Sequence, residues 1–394
     1  MKDLPALQGL RVLDLSRVLA GPFAAQILAD LGADVIKIER PGKGDDTRLW
    51  VPPRMVPEPK VSVDESVYFW ACNRGKRSMT ADISTPQGRE VVLRLARDAD
   101  AVIENYRVDT LSRYGLDYAS LRALNPRLIY CSITGFGQTG PYRERPGYDT
   151  IIQAIGGLMS ITGASDEAGG TPVKSGLAVV DQMTSLYAVI AILAALQERH
   201  TSGLGQHIDM SLLDVQVAAL TNIGMNYLAT GNVPKRHGNR LATVYPSDSF
   251  RCRDGDVMLI VGSDDQFQRF CSAMDLAQVA QDQRFSTNEA RLCNAAALES
   301  LLKAAFSRYT MAECQRLLDK AGVPISPINN LAQVFADPQV IAREMVRDVP
   351  RSDGQISRVL ASPIRLSRSP LREYSPAPRL GQHDPEKEAG WGRV

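Results

Sequence analysis

Residues 10–39 read LRVLDLSRVLAGPFAAQILADLGADVIKIE, and the fold is decided here. Leu10 to Leu15 reads as a buried strand. Ala20-Gly21-Pro22 then opens a helix, with Pro22 suited to a first turn. That helix runs through Ala24, Ile27 and Leu28 to Leu31, and Gly32 ends it. Asp34 to Glu39 is the second strand. The three pieces make a βαβ unit of about 30 residues, the usual size. The stretch lacks GxGxxG, so it carries no ordinary dinucleotide fingerprint.

The alternation continues. Pro52 to Pro59 reads as an irregular surface loop, and Phe69 to Ser78 as a strand end followed by a basic turn. A helix is expected over 88–96, short strands at Ala101–Glu104 and Leu128–Ile133, and a helix from Pro146 to Leu158. Thr134 to Gly140 is a glycine-rich loop, which serves either as a turn or as a place where backbone approaches a ligand. Residues 205–214 repeat the strand-to-helix passage, with His207 as a structural strand residue. Beyond Thr221 the pattern changes. Residues 231–245 read as a linker and Ser249 to Val261 as a hairpin turning at Asp254-Gly255. Helices follow near 266–274, 295–306 and 311–321. The expected fold class is α/β: a large Rossmann-like domain with a parallel sheet, plus a smaller α+β domain. The expected division is a large domain over 1–200 completed by 360–394, a linker at 201–225, a small domain at 226–325 and a return linker at 326–359.

Composition narrows the function. A chain of 394 residues is long for one core. Its 45 basic and 44 acidic residues leave a net charge of +1, which argues against a nucleic-acid binder. The six cysteines form no CxxC pair, and the four histidines are dispersed, so no metal site is expected. MKDLPALQGLRV has no long apolar run, so no signal peptide is expected. The apolar run near Ala188 to Leu196 reads as too short to span a membrane. The expectation is a soluble, cytoplasmic protein with reduced thiols and no membrane partner.

One carboxylate stands out in GLAVVDQMTSLYAVIAILAALQERHTSG, residues 176–203. Leu177 to Val180 fits a strand or a tight turn, and Asp181 falls at the N-cap or first turn of a helix. Leu186, Ile190, Leu193 and Leu196 follow at helical spacing. Asp181 reads either as a helix cap or as a nucleophile kept ionised by the helix N-terminus.

The segment from Thr162 to Leu196, with SRVLAGPFAAQILADLGADVIKIERPGKGDDTR at 16–48, resembles the class III CoA-transferases, the family of formyl-CoA and carnitine CoA-transferases. The resemblance runs nearly end to end, to Leu380-Gly-Gln-His383. It implies that Asp181 is the nucleophile and that Val18, Leu19 and Ala20 line the CoA channel. It implies that Arg40 meets the nucleotide end of CoA and that Asn105, Tyr106 and Arg113 face CoA. Arg40 leaves the end of the second strand, where parallel sheets place their ligand crevice, and a guanidinium there can fork onto phosphate. Lys76 reads as a second attraction for CoA phosphates or as part of a plain charged turn. An interlaced homodimer is implied as well, with CoA as substrate and no further cofactor.

The implied chemistry is covalent. A carboxylate is a poor acceptor for a thiolate, so a protein carboxylate carries CoA through an anhydride and an aspartyl thioester. The α-methylacyl-CoA racemases share the fold and the Asp, but pair it with a His where this chain has Tyr148, a poor base near neutral pH. A non-catalytic CoA-binding protein is the other alternative; it would keep Arg40 and Arg113 without needing Asp181. The blocks SRVLAGP, GDDTRLW, YCSITGFGQTGP and GLMSITG resemble most the succinyl-CoA:glutarate (or hydroxymethylglutarate) branch, which implies dicarboxylates. Arg17 and Lys174 are then candidate cations for a distal carboxylate, with Tyr148 as a further candidate substrate contact. Arg17 and Lys174 read equally as surface charges. The chain departs from many relatives at Pro246-Ser247-Asp248 and at Leu241.

Overall fold

The computed structural model describes residues 4–50, 66–351, 354–384 and 391. The expected Pro-rich loop at 52–59 lies outside them. The chain divides into two compact units. The larger takes residues 1–158, 174–231 and 341–394; the smaller takes 159–173 and 232–340.

The larger unit follows the βαβ rhythm. In order come β1 (Arg11–Asp14), α1 (Ala20–Asp30), β2 (Asp34–Glu39), α2 (Val67–Asn73), β3 (Arg77–Thr80), α3 (Pro86–Arg97) and β4 (Ala101–Glu104). Then come α4 (Tyr118–Leu124), β5 (Ile129–Thr134), α5 (Asp149–Ile155), α6 (Leu158–Ile161), α7 (Val179–Ser202), β6 (His207–Ser211), α8 (Leu212–Ala218) and α9 (Thr221–Thr230). The six strands form one parallel sheet in the order β3-β2-β1-β4-β5-β6. Both faces are covered, so successive residues of one strand enter different cores. Val12, Val35, Ile103 and Cys131 pack with α1 and α7, while Leu13, Ile36, Val102 and Tyr130 pack with α3 and α4.

Several local expectations change. Phe69 to Asn73 is helical rather than a strand end: the helix starts at Val67, and Ser66 before it accepts a cap bond from Phe69 N–H. Residues 201–225 are not a linker: they hold β6, the sheet's edge strand, then α8 and part of α9. The stripe expected to bury α7 is also displaced. Leu186 and Ile190 are exposed, and the buried face is Val180, Thr184, Ser185, Ala188, Val189, Ile192 and Ala195. Small residues win because α1, itself rich in Ala, lies against that face. Taken whole, α7 is long and apolar enough by length and composition to cross a membrane, which the shorter run at 188–196 concealed. Its buried face is part of the core.

The smaller unit has its own centre. It contains β7 (Ser247–Arg251), β8 (Asp256–Ile260), α10 (Asp264–Ala273), α11 (Ala277–Gln281), α12 (Asn288–Cys293), α13 (Ala295–Phe306), α14 (Met311–Lys320), β9 (Ile325–Pro327) and α15 (Leu331–Ala336). β7 and β8 are the expected hairpin, and β9 adds a third antiparallel strand. Phe250, Phe267, Phe270, Leu302 and Phe306 fill the core, with the Phe250 and Phe306 rings stacked 4.7 Å apart. The unit also takes in residues 159–173, far from 226–325 in sequence. Pro246 leads into this unit's own sheet, which begins at Ser247, and Asp248 pairs with Arg240 at 3.1 Å.

The expected return linker is structured too. α16 (Pro338–Ala342) leads to β10 (Val346–Pro350) and β11 (Ile356–Leu360), an antiparallel pair. The C-terminal tail then lies along β3, an edge of the large sheet. His383 N–H donates to Ser78 O at 2.9 Å, Gly381 N–H to Ser78 Oγ at 3.0 Å, and Pro378 O accepts from Arg48 at 3.1 Å.

Candidate active site

The strand order reverses direction between β1 and β4. Crossover helices leave these neighbours in opposite directions, so a crevice opens beyond their C-terminal ends. A cavity of about 180 Å³ lies there. Arg17, Val18, Leu19 and Ala20 reach it from the β1–α1 connection, and Asn105 and Tyr106 from the end of β4. Tyr148 and Asp181, also singled out by the sequence, line it too. A second cavity of about 410 Å³ shares Arg17, Asp46 and Tyr106 as walls and extends to Arg40, Lys43, Thr110 and Tyr114.

Asp181 sits in the first turn of α7. Its own side chain does not cap the helix, so the capping reading fails. The cap comes from Asp149 at the start of α5, whose Oδ2 accepts from Val180 N–H at 2.8 Å and Asp181 N–H at 3.2 Å. Gln153 holds Asp149 through its amide and accepts from Ser175 N–H at 2.8 Å. Ser185 Oγ lies 2.8 Å from Asp181 O and 2.7 Å from Ala20 O, joining α7 to α1 beneath the cavity. Burial, and then the neighbouring Asp149 carboxylate, push the Asp181 carboxyl up to about 7. Burial thus works against the expected help from the helix N-terminus in keeping Asp181 ionised. Asp149 was not singled out by sequence. Its signal was an acidic residue in a first turn, which normally caps its own helix.

Other predicted residues land differently. The Asn105 amide clasps the Arg17 backbone, accepting from its N–H at 2.8 Å and donating to its carbonyl at 2.6 Å. Arg17 pairs with Asp46 at 2.9 Å beside the Tyr106 ring. Arg40 is exposed on the second cavity. Arg113 is exposed but outside both cavities, although Thr110 and Tyr114 beside it line the second. Lys174 is also exposed and outside both, donating to Ser175 O.

Lys76 is a correction. It is buried, 2.8 Å from Asp14, and donates to Pro22 O and Asn73 Oδ1 at 2.8 Å each. Burial lowers its ammonium to about 8 against the pull of Asp14. A lysine so placed is a buried brace of β1 and α1, not a phosphate contact. His207 is a strand residue as expected, 2.9 Å from Ser132 Oγ and stacked on Tyr118. In the glycine-rich loop Gly137 and Gly140 have positive φ, while Gly135 lines the cavity and packs against Gly147. A Cβ on Gly135 would lie 2.6 Å from Gly147 Cα. Among the described residues no cluster of three or more His, Cys, Asp or Glu is arranged for a metal.

The family model described as CoA-transferase family III matches residues 7–384. Succinate–glutarate CoA-transferase of Agrobacterium fabrum is 48% identical over 379 residues, spanning 96% of this chain and 94% of that protein. Human succinyl-CoA:glutarate CoA-transferase is 40% identical over 384 residues, 97% of this chain and 85% of that protein. Among solved structures, a CaiB/BaiF family protein from Brucella suis has a TM-score of 0.87 at 48% identity, covering 97% of this chain and 98% of that one.

Proposed function

Because the chain belongs to CoA-transferase family III, we propose that it moves CoA from succinyl-CoA to glutarate, or to a short dicarboxylate like it, with Asp181 as covalent carrier. The observation that carries this reading is Asp181 itself. It is a half-buried carboxylate on the wall of the crossover crevice, held by a helix whose N-terminus another residue caps. Burial makes its anion less solvated and so more ready to attack.

The steps balance without an external reagent. An Asp181 oxygen attacks the succinyl thioester carbonyl and expels CoA thiolate, leaving a succinyl–aspartyl anhydride. The thiolate attacks the aspartyl carbonyl of that anhydride, and succinate leaves with the bridging oxygen. A glutarate carboxylate then attacks the aspartyl thioester, expels the thiolate and forms a glutaryl–aspartyl anhydride. The thiolate attacks the glutaryl carbonyl, giving glutaryl-CoA and free Asp181. Val18, Leu19 and Ala20 flank the thioester end, and Arg40 at the far end of the second cavity meets the phosphates. Arg17 is the candidate partner for the distal carboxylate. The named relatives support the choice of substrates.

The test is to trap the carrier. With succinyl-CoA, hydroxylamine should convert Asp181 to a hydroxamate on the peptide that contains it. Free CoA alone should not, because a resting carboxylate is not activated. Turnover of succinyl-CoA and glutarate with no adduct under rapid quench would end the covalent scheme.

We also infer a homodimer. Leu186 and Ile190 of α7 and Met225, Tyr227 and Leu228 of α9 are exposed in the single chain. An apolar surface of that kind marks an interface. The family resemblance adds that the two chains interlace. Light scattering at micromolar concentration should give twice the chain mass, and a monomer would refute the assignment.

A further inference from the structure

The connection from β1 to α1 holds a backbone outlier. Val18 has φ of 73°, in the left-handed region that a β-branched residue avoids. Something must hold it there, and the hydrogen bonds identify what. Val18 N–H faces Asp45, 3.2 and 3.3 Å from its two oxygens. Asp45 is buried and also accepts from Thr47 N–H at 3.0 Å and Thr47 Oγ1 at 2.8 Å. Its second oxygen is 3.0 Å from Lys37 Nζ, and both side chains are fully buried. Lys37 donates in turn to Ser16 O at 2.7 Å, two residues before Val18.

The residues next to Val18 are pinned as well. Asp14 accepts from Ser16 N–H at 2.9 Å, and the Asn105 amide clasps Arg17. The N-terminus of α1 has no side-chain cap. Val18, Leu19 and Ala20 then form the wall that shares a cavity with Asp181. Strain persists only where surrounding structure over-determines it, and it gathers at functional sites.

We propose that Asp45, anchored by Lys37, is a positioning residue for transfer at Asp181: it holds Val18 in the left-handed conformation and so fixes the Arg17–Ala20 wall of the reaction cavity. A residue that merely capped the turn at Asp46–Leu49 would need only its bonds to Thr47. The bond to Val18 and the ion pair to Lys37 exceed that need. The proposal rests on Asp181 carrying the transfer.

The experiment compares Asp45→Asn, Thr47→Val, Val18→Gly and the Asp45→Asn/Val18→Gly double variant. Asp45→Asn should speed amide hydrogen exchange in the peptide holding Val18 to Ala20 and lower the rate of hydroxylamine-trappable adduct formation at Asp181, each by about tenfold or more. Thr47→Val should lower the melting temperature and leave the adduct rate within about twofold. Glycine adopts φ near 70° without strain. The double variant should therefore lose less than the product of the single losses. If Asp45→Asn does not fold, Asp45→Glu replaces it, keeping the charge for Lys37 while displacing the carboxylate from Val18. Unchanged exchange at Val18, an unchanged adduct rate, or strictly multiplicative losses would each overturn the proposal. Absence of any adduct in the unsubstituted enzyme would instead refute Asp181 as carrier, and exchange would still show whether Asp45 holds the loop.

Discussion

In the proposed mechanism the chemistry of one carboxyl group sets the pH behaviour. In that mechanism Asp181 must be ionised to attack, and its folded value near 7 means that kcat/KM should rise with pH through that region. Asp149→Asn keeps a cap acceptor and removes the neighbouring charge, so the midpoint should move to lower pH. Asp181→Asn should fold and bind CoA yet lose at least about three decades in rate, roughly 4 kcal/mol of barrier. The stability effect has a definite sign. A carboxyl whose folded value is raised opposes folding once ionised. The cost is absent below the unfolded value of 3.8, grows in up to about 7 and is complete above. Asp181→Asn should therefore raise stability at pH 8 by on the order of 1–3 kcal/mol, allowing for water in the open cavity, and not at pH 4. Melting curves at the two pH values check it. Asp181 stood out in sequence because its surroundings form a motif, and the structure puts it on the cavity wall. Asp149 did not stand out, because its work is done on a helix 31 residues downstream. Lys76 misled because a Lys-Arg pair looks the same on paper when one member points inward.

At the scale of elements, periodicity located most strands and helices of the larger unit but not their orientation. In α7 the large apolar residues drew attention, yet small ones make the close approach to α1. The start of α2 is hidden in sequence because its cap, Ser66, lies ahead of the apolar run at Phe69. The connection from β5 to α5 shows what packing demands of a loop. Gly135 and Gly147 touch backbone to backbone, and Tyr148 and Asp149 follow at once. Gly135→Ala should push that loop away from α7. A displacement near 1 Å at a reacting group costs about a hundredfold in rate, so kcat should fall by that order. The overpacking should cost about 1–3 kcal/mol of stability, read from denaturant unfolding. A rate loss without any stability loss would mean that the loop moves freely and the glycines are not in tension.

For the molecule as a whole, two domains were legible from length and from the change of pattern after Thr221. The boundaries were not. Residues 159–173 join the smaller unit across a gap in sequence that no local pattern announces, and β6 lay hidden in what read as a linker. The exposed apolar residues of α7 and α9 are those that the proposed homodimer would cover. Leu228 is 76% exposed. Leu228→Glu should leave the fold of one chain intact and shift sedimentation toward the monomer. A dimer of unchanged affinity would move the interface elsewhere.

The tail on β3 has a consequence for how the protein is made. All six strands of the large sheet have been synthesised once Ser211 is added, but the residues that cover the β3 edge come only at 378–383. At ordinary ribosomal speeds that interval lasts roughly ten to thirty seconds. Throughout it, the nascent sheet presents a bare edge of the kind that pairs with other chains. Residues 378–383 thus end the hazard at β3, and chains released before they are made would be more prone to aggregate than their content of finished sheet implies.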